Sequence, residues 1–466
     1  MSGLFLYGPP ASGKSTLGLA LAGRFGAEFR DLDAEIVRAA GRSIPEIFAS
    51  SGEAAFRGIE KDVLASLPEG GIVALGGGSL LDGESRALAE SRGSVILLDV
   101  DEAEILRRIE AQNGTRPLGA TVLASRRAHY ASFPVHLEAH FPIDSGDAPS
   151  DVFVGRGLIS AAGTLAALAR LGGKCVVVAD SNTARPHGER VRSVLSAAGI
   201  PSTLHQIPAG EATKNVSTVS DIWRAFLRAG LGRRDFAVAV GGGVVGDMTG
   251  FAAACWMRGI PWMNVPTSLL SMVDASTGGK TGCDLPEGKN LIGAFHSPRI
   301  VVIDEETLST LPPREYRSGR AEWIKHDVIA GGRASTVAET LALKVRIVRE
   351  DPFETGERAK LNLGHTVGHA LEIATDFRLS HGEAVAIGCV EEARLAVRLE
   401  LVDESWPEVL AAMFAAEGLP TSMPDGITFD SLRDIMARDK KQTSSRRVRF
   451  ALPCGMGDVR LVPVDV

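Results

Sequence analysis

Short apolar runs alternate with amphipathic stretches through the first 144 residues. Leu4 to Tyr7, Ile72 to Leu75 and Val95 to Leu98 are too short for helices and read as buried strands. Ser15 to Arg24 and Ala103 to Ile109 instead repeat apolar positions at helical spacing. This is the pattern of a parallel α/β domain. Ser145-Gly-Asp-Ala-Pro-Ser-Asp151 concentrates turn formers, which predicts a first domain over residues 1–146 and a linker over 147–151. The alternation then restarts. Lys174 to Ala179, Phe236 to Val240, Trp262 to Val265 and Ile300 to Ile303 predict the strands of a second α/β domain over 152–310. Beyond Leu311-Pro-Pro313 the strand signals fade, and Ser335 to Arg349, His365 to Thr375 and Ala384 to Leu399 predict a mostly helical unit over 311–466.

Composition narrows the function classes. Fifty Lys and Arg against 57 Asp and Glu leave a net charge of −7, so the chain as a whole does not attract nucleic acid or anionic lipid. No apolar stretch reaches the ~18 residues of a spanning helix, and the amino terminus lacks a basic-then-apolar export signal, which predicts a cytoplasmic protein without a membrane role. The cysteines, Cys175, Cys255, Cys283, Cys389 and Cys454, are widely spaced with no CxxC pair, so any metal is expected on histidines and carboxylates.

Gly8-Pro-Pro-Ala-Ser-Gly13-Lys14-Ser15 satisfies GxxxxGK[ST] between the strand Leu4 to Tyr7 and the amphipathic segment Thr16 to Arg24. Backbone N–H groups of such a loop face phosphate oxygens, with Lys14 on the terminal phosphates and Ser15 on magnesium. Downstream, Asp31-Leu-Asp33, Gly52-Glu53-Ala-Ala-Phe56-Arg57 with Glu60, Gly76-Gly-Gly78 and Arg116-Pro-Leu118 follow in order. With the loop, this set resembles shikimate kinase. The resemblance implies Gly8, Gly13, Lys14, Ser15 and Thr16 on ATP, and Ser15 and Asp31 at magnesium. It places Asp33 on substrate hydroxyls, Arg57 on the substrate carboxylate, Gly77 and Gly78 against the ring, and Arg116 as a lid arginine. Arg126, or else Arg127, is a second substrate arginine. The lid region is shorter than usual in that family, and the closing helix expected after Phe141-Pro-Ile-Asp144 is missing from the sequence.

Gly241-Gly-Gly-Val-Val-Gly246-Asp247 follows the strand Phe236 to Val240, where a dinucleotide pyrophosphate would meet a glycine turn and a helix start. It is not a GxGxxG fingerprint, but Asp180-Ser-Asn182, Glu211-Ala-Thr-Lys214 and Pro266-Thr267-Ser268 add polar residues at strand ends, where ribose hydroxyls bind. Separately, His365 and His369 lie four apart on one helical face, His381 precedes the next helix, and Glu322 supplies a carboxylate. Two imidazoles and one carboxylate leave an open position on a metal, as a catalytic site requires. Spacing alone points to the two helix histidines, His365 and His369, as the pair.

Residues 152–466 resemble 3-dehydroquinate synthase. The resemblance rests on Gly241 to Asp247, Pro266-Thr-Ser-Leu-Leu270, Asp274-Ala-Ser-Thr-Gly-Gly-Lys280-Thr281, Gly288-Lys289-Asn290 and Ala321-Glu322-Trp-Ile-Lys325. It rests also on Arg358-Ala-Lys-Leu-Asn362-Leu-Gly-His365-Thr-Val-Gly-His369 and His381-Gly-Glu-Ala-Val385. It implies zinc, or another divalent ion such as cobalt, on Glu322, His365 and His381, with His369 at the substrate's phosphate end. NAD would lie on Asp180, Asn182, Glu211, Lys214, Gly241, Gly242, Gly243, Asp247, Thr267, Ser268, Asp274, Lys289 and Asn290. Lys280, Asn290, Lys325, Lys344, Arg358 and Asn362 would meet the carboxylate and phosphate of a seven-carbon sugar acid. Arg258 would reach into a second subunit, implying a homodimer, and Lys440 or Lys441 would add a further substrate lysine. The implied reaction oxidises a carbinol with NAD, eliminates phosphate, returns the hydride and closes a carbocycle by aldol addition.

The chain is thus expected to carry an α/β P-loop kinase domain, an α/β NAD-binding domain and a mostly α-helical zinc-binding domain. It would hold two enzymes of aromatic precursor synthesis. The alternatives are a synthase with a non-catalytic nucleotide-binding domain, a related sugar-phosphate cyclase, or a zinc polyol dehydrogenase.

Overall fold

A computed structural model describes residues 3–111, 119–439 and 447–465. The uninterrupted apolar run at the start forms β1 (Gly3–Tyr7), buried along its whole length. The P-loop leads to α1 (Lys14–Phe25), followed by β2 (Phe29–Asp31), α2 (Leu32–Ala40), α3 (Ile44–Ser66) and β3 (Ile72–Ala74). Next come α4 (Gly83–Arg92), β4 (Gly93–Leu98), α5 (Glu102–Ala111), α6 (Gly119–Tyr130) and β5 (His136–Ile143). Side chains alternate across β1: Leu4 and Leu6 enter one core with Leu21 and Ala22 of α1, whereas Phe5 and Tyr7 enter another with Leu32, Ile36 and Phe56.

A hairpin then joins β5 to β6 (Ser150–Arg156), and a single 310 turn over Leu158–Ala161 runs into α7 (Ala162–Leu168). The nucleotide-binding unit continues with β7 (Cys175–Asp180), α8 (Glu189–Ala197), β8 (Ser202–Ile207), α9 (Val216–Ala229), β9 (Phe236–Gly241), α10 (Gly243–Cys255) and β10 (Trp262–Pro266). A two-stranded excursion, β11 (Lys280–Leu285) and β12 (Gly288–Phe295), precedes β13 (Ile300–Asp304).

Both α/β units share one eleven-stranded sheet of order β2-β3-β1-β4-β5-β6-β13-β10-β9-β7-β8. Every neighbouring pair is parallel except β5 and β6. Strand β5 therefore closes the first unit on one edge and opens the second on the other. The expected linker is accordingly shortened: Ser150 and Asp151 already belong to β6, paired to Ile143 and Pro142, because an antiparallel neighbour needs only a short loop, here over 144–149.

The last third packs α11 (Pro313–Ala330), α13 (His365–Ala374), α14 (His381–Arg398), α15 (Trp406–Ala415) and α16 (Phe429–Asp439) around two further cores, while α12 (Val337–Glu350) lies on the sheet against Ile143, Val152, Val154 and Ile303. It also holds a hairpin, β14 (Arg447–Gly455) with β15 (Asp458–Asp465), that the helical expectation did not include. Its signal is the alternation of exposed Arg447 and Arg449 with buried Val448 and Phe450. No helix among the described residues is long and apolar enough to cross a membrane.

Candidate active sites

The first site is built around the opening of α1. Gly13, at φ 93°, caps the helix in a left-handed conformation that an L side chain resists, so the loop amides reach the helix axis. Lys14 Nζ folds over the loop and donates to the carbonyls of Gly8 at 2.9 Å and Pro9 at 2.7 Å. Ser15 donates its hydroxyl to Asp31 at 2.5 Å, and the other Asp31 oxygen caps α2 through Asp33 N. Thr16 is exposed on the first turn of α1.

A left-handed break at Gly52 (φ 77°) redirects α3. Beyond it, Arg57 pairs with the buried Glu60 at 2.5 Å and with Glu53 at 3.2 Å. A Cβ on Gly78 would lie 2.7 Å from Arg57 Nη2 and 3.1 Å from Arg126 Nη1, so two guanidinium groups converge where this glycine leaves room. Arg126 also donates to the Gly77 carbonyl at 3.1 Å, as does the Tyr130 hydroxyl at 2.6 Å. Asp33 faces the same run: its Oδ1 stands 3.0 Å from where a Cβ on Gly76 would be. Arg127 turns away to an exposed pair with Glu102, so of the two adjacent arginines Arg126 faces the cleft. Arg116 lies outside the described residues. Sequence reading missed Arg108, which donates to the Ala11 carbonyl at 3.3 Å; its spacing from Glu104, with which it pairs, made it look like a surface helix charge.

In the second unit the polar strand ends gather where β7 and β9 diverge. Asp180 ends β7 and accepts from the amides of Asn182 and Thr183, while Thr183 donates to Val240 O at 3.0 Å, tying the two strand ends together. Gly241 ends β9, and α10 begins at Gly243. A Cβ on Gly242 would meet the Ser268 hydroxyl at 3.3 Å, and Thr267 N donates to Gly241 O at 2.9 Å. Such a crevice at the carboxyl ends of parallel strands, on either side of a reversal in strand order, suits a dinucleotide. Lys214 bridges Asp247 and the Asn290 side-chain oxygen, each at 2.7 Å. Lys289 bridges Glu211 and Glu372, each at 3.0 Å.

Facing that crevice, Glu322 of α11 is fully buried; its Oε2 pairs with Lys325, while its Oε1 accepts no hydrogen bond among the described residues. His365 Nε2 lies 3.6 Å and His381 Nε2 3.5 Å from Glu322 Oε1. His365 opens α13, and its Nδ1 lies 3.0 Å from the Leu363 carbonyl, which suits a proton there and a lone pair on Nε2. His381 opens α14 beside a Ser380–Glu383 capping box, and its Nδ1 faces Glu372 at 3.5 Å. A buried carboxylate whose free Oε1 is met by two Nε2 atoms is a donor set that a tetrahedral divalent ion fits. His369 forms instead a second possible group with Glu372 and His381. Burial and neighbouring Lys325 hold His365 well below the usual imidazole range, hence neutral. Burial alone would lower His381 too, but Glu322 and Glu372 on either side raise it to about 9.

Around this centre the cations are paired, and two of the lysines are buried. Lys325 meets Glu322 and Lys344 meets Asp274 at 2.6 Å in the interior, while the exposed Lys280 meets Glu354. Asn362 donates to Glu354 at 2.6 Å. Arg358, 2% exposed, donates to the carbonyls of Pro352 and Gly278. Burial lowers Lys344 to about 8 even with Asp274 beside it. Sequence reading passed over Glu354 and Glu372, because isolated acids carry no motif. Arg258 is exposed and makes no hydrogen bond or ion pair among the described residues. Lys440 and Lys441 lie outside the described residues.

The family model for shikimate kinase matches residues 10–140, and those for the amino- and carboxyl-terminal parts of 3-dehydroquinate synthase match 204–318 and 319–442. The chain is 43% identical over 350 residues to the 3-dehydroquinate synthase of a Synechococcus species, covering 70% of this chain and 95% of that protein. The synthase of Symbiobacterium thermophilum is 42% identical over 346 residues, 69% of this chain and 96% of its own. Among solved structures, a 2-epi-5-epi-valiolone synthase from Streptomyces hygroscopicus, with NAD+ and Zn2+ bound, is 27% identical with a TM-score of 0.60, over 67% of this chain and 92% of its own. Residues 10–140 being a shikimate kinase domain, the chain carries two enzymes, and over its remaining length it belongs to the 3-dehydroquinate synthase family.

Proposed function

We propose that the P-loop half phosphorylates the 3-hydroxyl of shikimate from ATP with magnesium, and that the other half converts 3-deoxy-D-arabino-heptulosonate 7-phosphate to 3-dehydroquinate and phosphate with NAD and zinc. Lys14 and the loop amides hold the nucleotide phosphates, and Ser15 with Asp31 supplies oxygen ligands for magnesium. Arg57 and Arg126 grip the substrate carboxylate, which suits their convergence at Gly78. Asp33 orients the hydroxyl and accepts its proton at a carboxylate oxygen.

In the synthase half, Glu322, His365 and His381 would hold zinc. Bound there, a divalent ion supplies Lewis acidity toward the substrate's oxygens, and NAD supplies reversible hydride acceptance. The protein's own part is to bind, orient and neutralise. Asp180, Gly241 to Gly243, Thr267 and Ser268 line the dinucleotide crevice, with Asp247, Lys214, Glu211 and Lys289 completing it. Lys280, Asn290, Lys325, Lys344, Arg358, Asn362 and His369 take the substrate's two anionic groups, with His369 at the phosphate. In a buried site such charges act with little solvent screening. The exposed Arg258 supports a homodimer in which it reaches the neighbouring site, and five free cysteines suit a reducing cytoplasm.

The convergence of two Nε2 atoms on the buried Glu322 carries the synthase reading. The heptulosonate phosphate, NAD and zinc should release phosphate without net NADH, while shikimate and ATP should give ADP. Accumulating NADH would point to a polyol dehydrogenase and overturn the cyclase.

A further inference from the structure

The sheet face on which α1 lies has no covering helix from the kinase sequence beyond β5, because β5 turns directly into β6. That face is nevertheless dry. Leu4, Leu6, Ile96 and Leu98 of β1 and β4 share one buried core with Leu21 and Ala22 of α1 and with Leu158, Ile159, Ala161, Ala162, Leu165 and Ala166. The last six belong to the 310 turn and α7, which follow β6 on the synthase side. Polar contacts cross the same seam. Ser94 and Thr164 share a hydroxyl hydrogen bond of 2.8 Å, and Arg170 donates to the Gly26 carbonyl, at the carboxyl end of α1, at 3.2 Å.

A second clamp grips α1 from the hairpin. Arg24 pairs with Asp144 and with the buried Asp151, and donates to the Ser150 carbonyl at 3.1 Å. His140 lies 2.8 Å from the same Asp151. Thus the helix whose first turn carries Lys14 and Ser15 is held at its far end by the hairpin that joins the two units and by Arg170 of the other enzyme.

We propose that the segment Leu158–Leu168 of the synthase is the closing element of the kinase fold, so that the kinase works only as part of the whole chain. A parallel sheet needs both faces covered. Here the second enzyme supplies the cover, and the two units share β5 as a common strand. The chemistry of the two sites stays separate; their folding does not. This proposal rests on the kinase reading above.

Native-state hydrogen exchange on the full chain in increasing urea tests it without requiring turnover, which keeps its failure distinct from failure of that reading. The amides of β1, α1 and β4 should lose protection at the same urea concentration as those of β6 and α7. ATP with magnesium should raise the protection of both sets together. Kinase amides opening at lower urea, with ATP protecting them alone, would overturn the proposal. The substitution Thr164→Arg drives a charge into the seam. In a chain that still binds NAD it should lower kinase kcat/KM for ATP by at least about 10-fold, and an unchanged kinase would overturn the proposal. If that variant does not fold, the exchange measurement on the unaltered chain decides.

Discussion

The two proposed sites would meet phosphate in opposite ways. The kinase offers backbone amides at a helix start, and its one loop lysine rests on the carbonyls of Gly8 and Pro9. The synthase offers side chains, most of them buried, and its lysines are pre-paired with acids: Lys325 with Glu322, Lys344 with Asp274, Lys214 with Asp247 and the more exposed Lys280 with Glu354. A backbone cradle costs little to leave empty, because amides at a helix end are solvated. A nest of buried cations would be expensive without counter-charges. The acids let that nest exist before substrate arrives, and the incoming anions must then compete for it.

If the two sites are chemically separate, single substitutions should split the activities. Glu322→Gln removes the charge on which the two histidines converge, and should lower phosphate release from the sugar acid by about 1,000-fold, several kcal/mol of charge stabilisation. Kinase activity of that variant should stay within about twofold. Lys14→Ala should lower ATP-dependent phosphorylation by about 100- to 1,000-fold and leave the synthase intact. Steady-state assays of both activities on each variant check the crossing, and joint loss in a folded chain would break it.

Smaller effects sharpen the contrast. Arg126→Ala should raise KM for shikimate by about 10- to 100-fold, the worth of a charge-assisted pair, whereas Arg127→Ala, losing a surface pair with Glu102, should move it less than about threefold. The paired cations should also show in pH dependence. Lys344 titrates near 8, so in the free enzyme its charge is present below that pH and lost above it. Synthase kcat/KM should therefore fall as pH rises through 8, with Lys344→Arg flattening that limb. The folding linkage has the opposite sign. A lysine lowered by burial costs stability while charged, so that cost should diminish as pH rises from 8 toward its ordinary value, near 10.5.

The same contrast explains what the sequence made legible. The P-loop could be read locally, since strand, glycine spacing and Lys14 fall within a dozen residues. The strand runs at Ile72, Phe236, Trp262 and Ile300 were equally plain, because strands buried on both faces are continuously apolar. The synthase site draws on residues from Asp180 to His381, and spacing alone would have paired His365 with His369 rather than with His381. Glu354 and Glu372 stayed hidden because their only signal is the lysine each faces across the fold. The shared strand was illegible for a different reason: the turn formers of 145–151 mark a hairpin loop as readily as a domain boundary.

Metal content tests the side-chain-built centre most directly. After dialysis against zinc, the intact chain should retain one equivalent per subunit in its synthase half, and His369→Ala should retain it as well. His365→Ala and His381→Ala should each lose it. Loss of the metal in His369→Ala, with retention in His365→Ala, would contradict the assignment of Glu322, His365 and His381.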